Sequence, residues 1–414
     1  MTLFGIVWII LLCVALWRDI KYMLFLLALS MVFQSADVFS VGTLGIGPQT
    51  ITCFFFITRC LMYCKGKISL NKKDIFLFLL LIIFGTEIVF SSSINGVIHD
   101  NYLKVIQLLL YFTCFFLIMV VKILVTENEV YEMLRTIIIF LVVMGIVQVL
   151  TTSEMLPLRS ILKVLFYNND APQTYFNSSN YTRVMSTFME PSYFAGIVVG
   201  AFYYLLSLEK KWKENFVLMC MLFVELLLTR SSTGYGAFAL VGIIFILFSK
   251  KIKIRYKMLL CILAIVGAVA LYFGFYEMLD KVIFSKLESG SYNARNYMNL
   301  NAMNEYYKSK YIGAGYRVVR GSSIVCSLLG ELGMIGMVLY LVVNLLMIAP
   351  LFDVIKVRST VNAYQYGMYF AVLSVVVCQL IACPDLDLCT YWFWAFFYAL
   401  TMRSSRMQRE VKRC

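Results

Sequence analysis

Histidine is almost absent from this chain, and charge is scarce. His99, in the segment SSSINGVIHD, is the lone imidazole among 414 residues, and no Cys, Asp or Glu stands near it at metal-ligand spacing. It reads as a solvated loop residue. Charged residues make up 14% of the sequence, against about a quarter in soluble domains. No region is polar enough to form a separate soluble domain. Six prolines and 23 glycines exclude a collagen-like or disordered chain. A Gly-rich phosphate loop and a nucleophile elbow are both missing.

What is present is apolar: 61% of residues are hydrophobic and the mean hydropathy is +0.83. That composition is expected of a single-domain, all-α, polytopic membrane protein. Apolar windows run over 2–17, 22–39, 44–64, 75–90, 101–124, 131–150, 188–208, 216–229, 233–249, 258–275, 324–349, 364–382 and 387–402. They predict about 12–13 transmembrane helices, the count turning on the short windows 216–229 and 387–402. The first run has no basic residue before it and is followed by Arg18 and Lys21, so it reads as a retained span and not as a signal peptide. The 12 cysteines fall mostly inside apolar runs, where Cys acts as a small hydrophobe; a disulfide is weighed only for Cys383 and Cys389.

The net charge of +13 follows topology. Basic residues cluster on alternate connections (Arg18 and Lys21; Lys65 to Lys73; Lys122; Lys210 to Lys213; Lys250 to Lys257; Lys356 and Arg358) and in the tail from Arg403. The positive-inside rule places these connections and the C-terminus in the cytoplasm. With no basic stretch on a soluble module, nucleic acid is not an expected partner. The other face has two long connections, 151–187 and 276–323, and long loops in compact membrane proteins are usually functional. The second reads as two short amphipathic helices, near 277–288 and 294–308, before the turn Gly313-Ala314-Gly315.

Ionisable and amide residues within the spans favour that outer face: Asp37, Glu87, Lys104, Gln107, Glu190, Glu225, Arg230, Glu331 and Gln379. Short carboxylates cannot snorkel far, so this bias predicts a polar chamber opening outward; headgroup contacts, and for Glu225 an ion pair with Arg230, are the structural alternatives. The chain turns from polar to apolar at YTRVMSTFMEPSYFAG (181–196), with Arg183 before the boundary and Glu190-Pro191 on it. Proline at a first helical position would leave Glu190 at the positive end of a helix, suited to general-base or orienting work or to plain capping. Arg230 opens TRSSTGYGAF, Arg317 and Arg320 follow the glycine turn in GAGYRVVRG, and Arg295 lies in the second loop. Guanidinium groups bind phosphate bidentately, so outward arginines beside a lipid-facing chamber suggest a lipid-linked diphosphate, with anionic headgroups as the plainer ligand. Asp385 and Asp387 in CPDLDLC resemble a weak cation site or ordinary turn chemistry.

RVMSTFMEPSYFAG (183–196), LLLTRSSTGYGAFAL (226–240) and GAGYRVVRGSSIVCSLLGELGMIGMVLYLVV (313–343), in that order and with two long outer loops, resemble the Wzy-type O-antigen and capsular polysaccharide polymerases and the related O-antigen ligases. The resemblance implies a GT-C-like fold and a metal-independent membrane glycosyltransferase in the bacterial plasma membrane, needing no nucleotide cofactor. It would join undecaprenyl-diphosphate-linked oligosaccharide repeat units on the outer side. By the same resemblance Arg183, Glu190, Arg230 and Arg317 would line the site, with Arg295 and Arg320 as further diphosphate contacts. Membrane lipids, a chain-length regulator and a flippase are the implied partners. Ligases similar to this plan carry a histidine in the second loop; 276–323 has none, which favours a polymerase. An Arg-x10-Gly signature of some polymerases is missing, since Phe194 and Tyr306 stand at that distance from Arg183 and Arg295. A ligase and a lipid-glycan transporter are the alternatives; midplane charges or inverted repeats would mark the transporter.

Overall fold

The computed structural model describes residues 1–41, 44–63, 72–152, 159–166, 168, 183–248, 290–351 and 362–402. Among them the helices are α1 (Leu3–Trp17), α2 (Ile20–Ser30), α3 (Pro48–Tyr63), α4 (Lys72–Ile94), α5 (Ile98–Val121), α6 (Glu127–Thr152) and α7 (Arg159–Leu165). They continue with α8 (Pro191–Ser207), α9 (Trp212–Thr229), α10 (Ser232–Phe248), α11 (Gly290–Lys308), α12 (Ile324–Ile348), α13 (Ala363–Ala382) and α14 (Cys389–Thr401). A small antiparallel hairpin, β1 (Phe39–Val41) with β2 (Leu44–Ile46), joins α2 to α3.

The chain is a multi-pass, helical membrane protein by composition and helix length. Among the described residues five helices (α4, α5, α6, α12 and α13) are long and apolar enough to cross a bilayer, or six if α8 and α9, bent by 94° at their junction, count as one broken span. Every apolar window except 258–275, which lies outside the described residues, coincides with a helix, but several helices are shorter than their windows. Helix α2 has 11 residues and stops at Ser30, because the apolar run continues as a turn into the hairpin. Helix α1, with 15 residues, reaches only about 22 Å against a hydrocarbon core of roughly 30 Å. Apolarity here also marks burial in protein: all 13 residues of α14 are buried.

Helix α8 forms the centre and packs against α9, α10, α13 and α14. Small residues permit this crowding. A Cβ at Gly200 would lie 2.6 Å from Trp394 Cε2, and one at Gly367 would lie 2.9 Å from the Tyr204 carbonyl oxygen. At the α4-start, α6-start end, ion pairs hold the connections. The ammonium of Lys122, 1% exposed, lies 2.8 Å from Asp74 Oδ2, and Lys21 Nζ lies 2.6 Å from Glu129 Oε1. Lys211 donates to Asn128 Oδ1 at 2.8 Å and covers the Tyr131 ring at 3.7 Å. These are the connections that the charge pattern assigns to the cytoplasm.

Helix α12 is broken at Gly333, where φ is +64° and ψ is −160°. The segment before it repairs the break. Ala314 N–H donates to the Gly330 carbonyl at 2.9 Å and Gly315 N–H to the Glu331 carbonyl at 2.8 Å, while Met334 N–H donates to Lys310 O at 2.8 Å and Ile335 N–H to Tyr311 O at 3.2 Å. Irregular backbone at this depth survives only when its polar groups are satisfied by protein. The glycine turn expected at 313–315 is present, with φ of +65° at Gly313 and +106° at Gly315. The end of α4 clamps it: Ser91 donates to Ile312 O at 2.5 Å, and Ser92 Oγ accepts from Tyr316 N–H at 3.1 Å. Of the two helices expected in 276–323, α11 covers the second; 277–288 lies outside the described residues.

Candidate functional site

The repaired break aims Arg317 and Arg320 at the turn between α13 and α14. Arg317 itself is left-handed, with φ +63°. Its Nη1 donates to Asp385 Oδ1 at 2.6 Å and its Nη2 donates to Asp387 Oδ1. Arg320 donates to the same Asp385 through Nε at 3.0 Å and Nη2 at 2.8 Å. The aspartates are held in turn. Leu388 N–H donates to Asp385 O at 3.3 Å, closing the turn, and Gln379 donates to the same carbonyl at 3.1 Å while accepting from Tyr340 at 2.8 Å.

Helix α8 contributes Tyr193, whose hydroxyl donates to Asp385 Oδ2 at 3.0 Å and accepts from Arg320 Nη2 at 2.9 Å. Thr390 of α14 donates to the Tyr193 carbonyl at 3.1 Å and ties the two elements together. Glu190 stands three residues earlier in the N-cap position with Pro191 following, but its carboxylate makes no capping bond; Oε2 accepts from Ser192 Oγ at 3.1 Å. From α5, Lys104 brings its ammonium to 3.8 Å from Asp387 Oδ2, and the buried Glu331 adds a carboxyl beside Arg317.

Electrostatics explains how so much charge sits here. Burial alone would raise the Asp387 carboxyl, but the Arg317 guanidinium and Lys104 outweigh it and hold the group below its ordinary value. For Arg317, burial works against the cation and the two aspartates more than reverse it, so its pKa rises well above the usual range. Arg320 is raised for the same reason, chiefly by Asp385 against burial. All three groups are charged at neutral pH.

The remaining arginines stand differently. Arg183 donates from Nε to the Thr229 carbonyl at 3.1 Å and from Nη2 to the Arg230 carbonyl at 3.3 Å, which caps the C-terminus of α9. Arg230 is the left-handed residue at that end (φ +47°), and its side chain is exposed. Arg295 is exposed on α11. The ion pair weighed as an alternative for Glu225 and Arg230 does not form: Glu225 is 2% exposed and both carboxyl oxygens lack partners among the described residues. Five residues before Arg230, it lies about 7.5 Å deeper along the helix. Glu225 borders a cavity of about 300 Å³ between α6 and α9, walled otherwise by apolar residues such as Val142, Met221 and Leu228. That cavity offers nothing to position a polar reaction, and the chemistry gathers at the arginine and aspartate cluster.

Sequence reasoning took Asp385 and Asp387 as a cation site or a turn, and passed over Tyr193. The aspartates lie on a turn, as one of those readings had it, and serve there as counter-ions of Arg317 and Arg320; no grouping of His, Cys, Asp and Glu suited to a metal occurs among the described residues. Tyr193 could have been found from its place on the same helical turn as Glu190. Cys383 and Cys389 flank the turn as buried free thiols, with no disulfide between them. No protein-family model matches the chain, and no curated protein matches it.

Proposed function

We propose that the protein is a membrane polysaccharide polymerase, joining undecaprenyl-diphosphate-linked oligosaccharide repeat units at the outer face of the bacterial plasma membrane. One observation carries this reading: Arg317 and Arg320 converge, on the end of the bundle opposite the lysine-rich connections, beside the helical turn that bears Glu190 and Tyr193. The lysine-rich end would face the cytoplasm with the C-terminus. Undecaprenyl diphosphate is a two-phosphate leaving group, and paired guanidiniums match it in charge and geometry.

In this mechanism Arg317 and Arg320 hold the donor diphosphate, and the exposed Arg230 and Arg295 meet it at the rim. Arg183 acts through the α9 cap that presents Arg230. The acceptor sugar hydroxyl gives its proton to Glu190 as its oxygen attacks the donor anomeric carbon. The bond from that carbon to the diphosphate breaks, and the electron pair leaves with the lipid diphosphate, whose charge the arginines stabilise. The arginines carry the charge that develops on the leaving diphosphate. Anchoring of both substrates in one membrane supplies proximity. A flippase that delivers repeat units and a chain-length regulator fit as partners.

Purified protein reconstituted with lipid-diphosphate-linked repeat units from its host should yield a ladder of lipid-linked oligomers on a gel. Glu190→Gln should cut the rate about 100-fold, within the usual range for a lost general base, with the protein still folded. A folded protein that makes no ladder from authentic substrate refutes the polymerase reading.

A further inference from the structure

We infer that Asp385 and Asp387 occupy the seat of the ligand's diphosphate, which binds by displacing them from Arg317 and Arg320. The inference rests on the proposed diphosphate ligand and adds what precedes it in the site.

The two carboxylates stand one residue apart on a turn fixed by Gln379 and by the Asp385 carbonyl. Asp385 engages both arginines, and Asp387 engages Arg317 with Lys104 behind it. Two linked anionic groups gripped by planar, bidentate donors are what a diphosphate would present to the same side chains. Arg317, Arg320 and Lys104 stand against Asp385, Asp387 and Glu190, so no positive charge is left over while the aspartates are bound, and an anion gains the guanidiniums by replacing carboxylates.

A second observation shows that the aspartates do not fill the seat. Arg317 Nε is buried and without a hydrogen-bond partner among the described residues, as is the hydroxyl of the preceding residue, Tyr316. A buried donor left unpaired is costly, and carboxylates already shared between neighbours have no oxygen directed at it. A diphosphate has more acceptor oxygens than two carboxylates and can serve Nε as well. Its two phosphates can take the places of both carboxylates on Arg317 and Arg320.

The test uses the full chain in lipid nanodiscs, with inorganic pyrophosphate as the probe, followed by titration calorimetry. Asp385→Asn and Asp387→Asn should each bind pyrophosphate about tenfold tighter than the parent, since close charge pairs couple by more than the energy of one decade in affinity. If both variants are monodisperse, melt cooperatively and bind pyrophosphate no tighter than the parent, the inference is overturned.

Should either variant fail to fold, the parent protein gives the answer by infrared difference spectroscopy. Pyrophosphate should shift the carboxylate stretching bands as the aspartates leave their guanidiniums, and binding without such a shift refutes the displacement. These readouts need no polymerase activity. A ladder with unchanged pyrophosphate affinity in the variants removes only this inference, and displacement without a ladder removes only the polymerase.

Discussion

Replacing Arg317 by alanine tests the architecture of the site most directly. The side chain supplies Asp387 with its closest cation and Asp385 with one of two; afterwards Asp385 keeps Arg320 and Tyr193, whereas the cation left to Asp387 among the described residues is Lys104 at 3.8 Å, beside a backbone hydrogen bond. The Asp387 side chain is 4% exposed, and stranding a buried charge in this way costs about 3 to 5 kcal/mol. The lower end, near 3 kcal/mol, applies because Lys104 remains. Two further variants separate the causes. Arg317→Gly loses the same ion pairs but relieves the left-handed backbone, worth about 1 to 2 kcal/mol, less the entropy that glycine returns to the unfolded chain; it should be about 0.5 to 1 kcal/mol more stable than the alanine form. Adding Asp387→Asn to Arg317→Ala removes the stranded charge and should recover at least about 1 kcal/mol. Reversible unfolding in mixed micelles, titrated with a denaturing detergent, reads all three. If the alanine variant is as stable as the parent, or the asparagine fails to rescue it, the cluster does not hold the fold in the way described.

Gly333→Ala should abolish the folded, monodisperse species on size exclusion, because φ is +64° and its Cβ would lie 2.4 Å from the Tyr311 carbonyl carbon; normal elution would refute the repaired break. Glu225→Leu should raise the unfolding midpoint by an amount equivalent to about 1 to 3 kcal/mol, since it removes a carboxyl with both oxygens unpartnered. An unchanged or lower midpoint would mean that this carboxyl has a stabilising role. The depressed pKa of Asp387 fixes the sign of a pH effect: its contribution is fully present above the ordinary value of 3.8 and is lost as pH falls through the lower folded value. Melting temperature should therefore show no Asp387-dependent change between pH 7 and pH 5 when parent and Asp387→Asn are compared, and the two should converge only in strong acid.

Periodicity and composition made the helices legible, because a bilayer and a protein interior both select apolar residues. The same fact hid which helices span. The window 387–402 is as apolar as a span, yet α14 is 13 residues long and buried along its whole length. Residues 31–38 continue the apolar run after α2 but turn toward the hairpin, since apolarity alone does not fix backbone direction. Gly313 and Gly315 were legible as an unusual turn; the break at Gly333 that the turn repairs was not, because its partners lie about twenty residues earlier in the chain.

The site shows the same division between local and distant information. Glu190 announces itself by Pro191 and by the polar-to-apolar boundary, and the structure places it at the N-cap. Arg317 and Arg320 follow a glycine turn, but nothing local says that their partners lie on CPDLDLC some 65 residues later. Read alone, Asp385 and Asp387 could serve a cation or a turn; placed against two guanidiniums, they compete with any anion that the arginines would bind. Arg183 moves the opposite way, from a presumed phosphate contact to the cap of α9, where its charge complements the helix dipole and holds the left-handed Arg230 in place. The arginines therefore divide by what already occupies them. Arg183 is committed to backbone and Arg230 is exposed, while Arg317 and Arg320 are paired with carboxylates that any anion bound by the same guanidiniums would first have to displace.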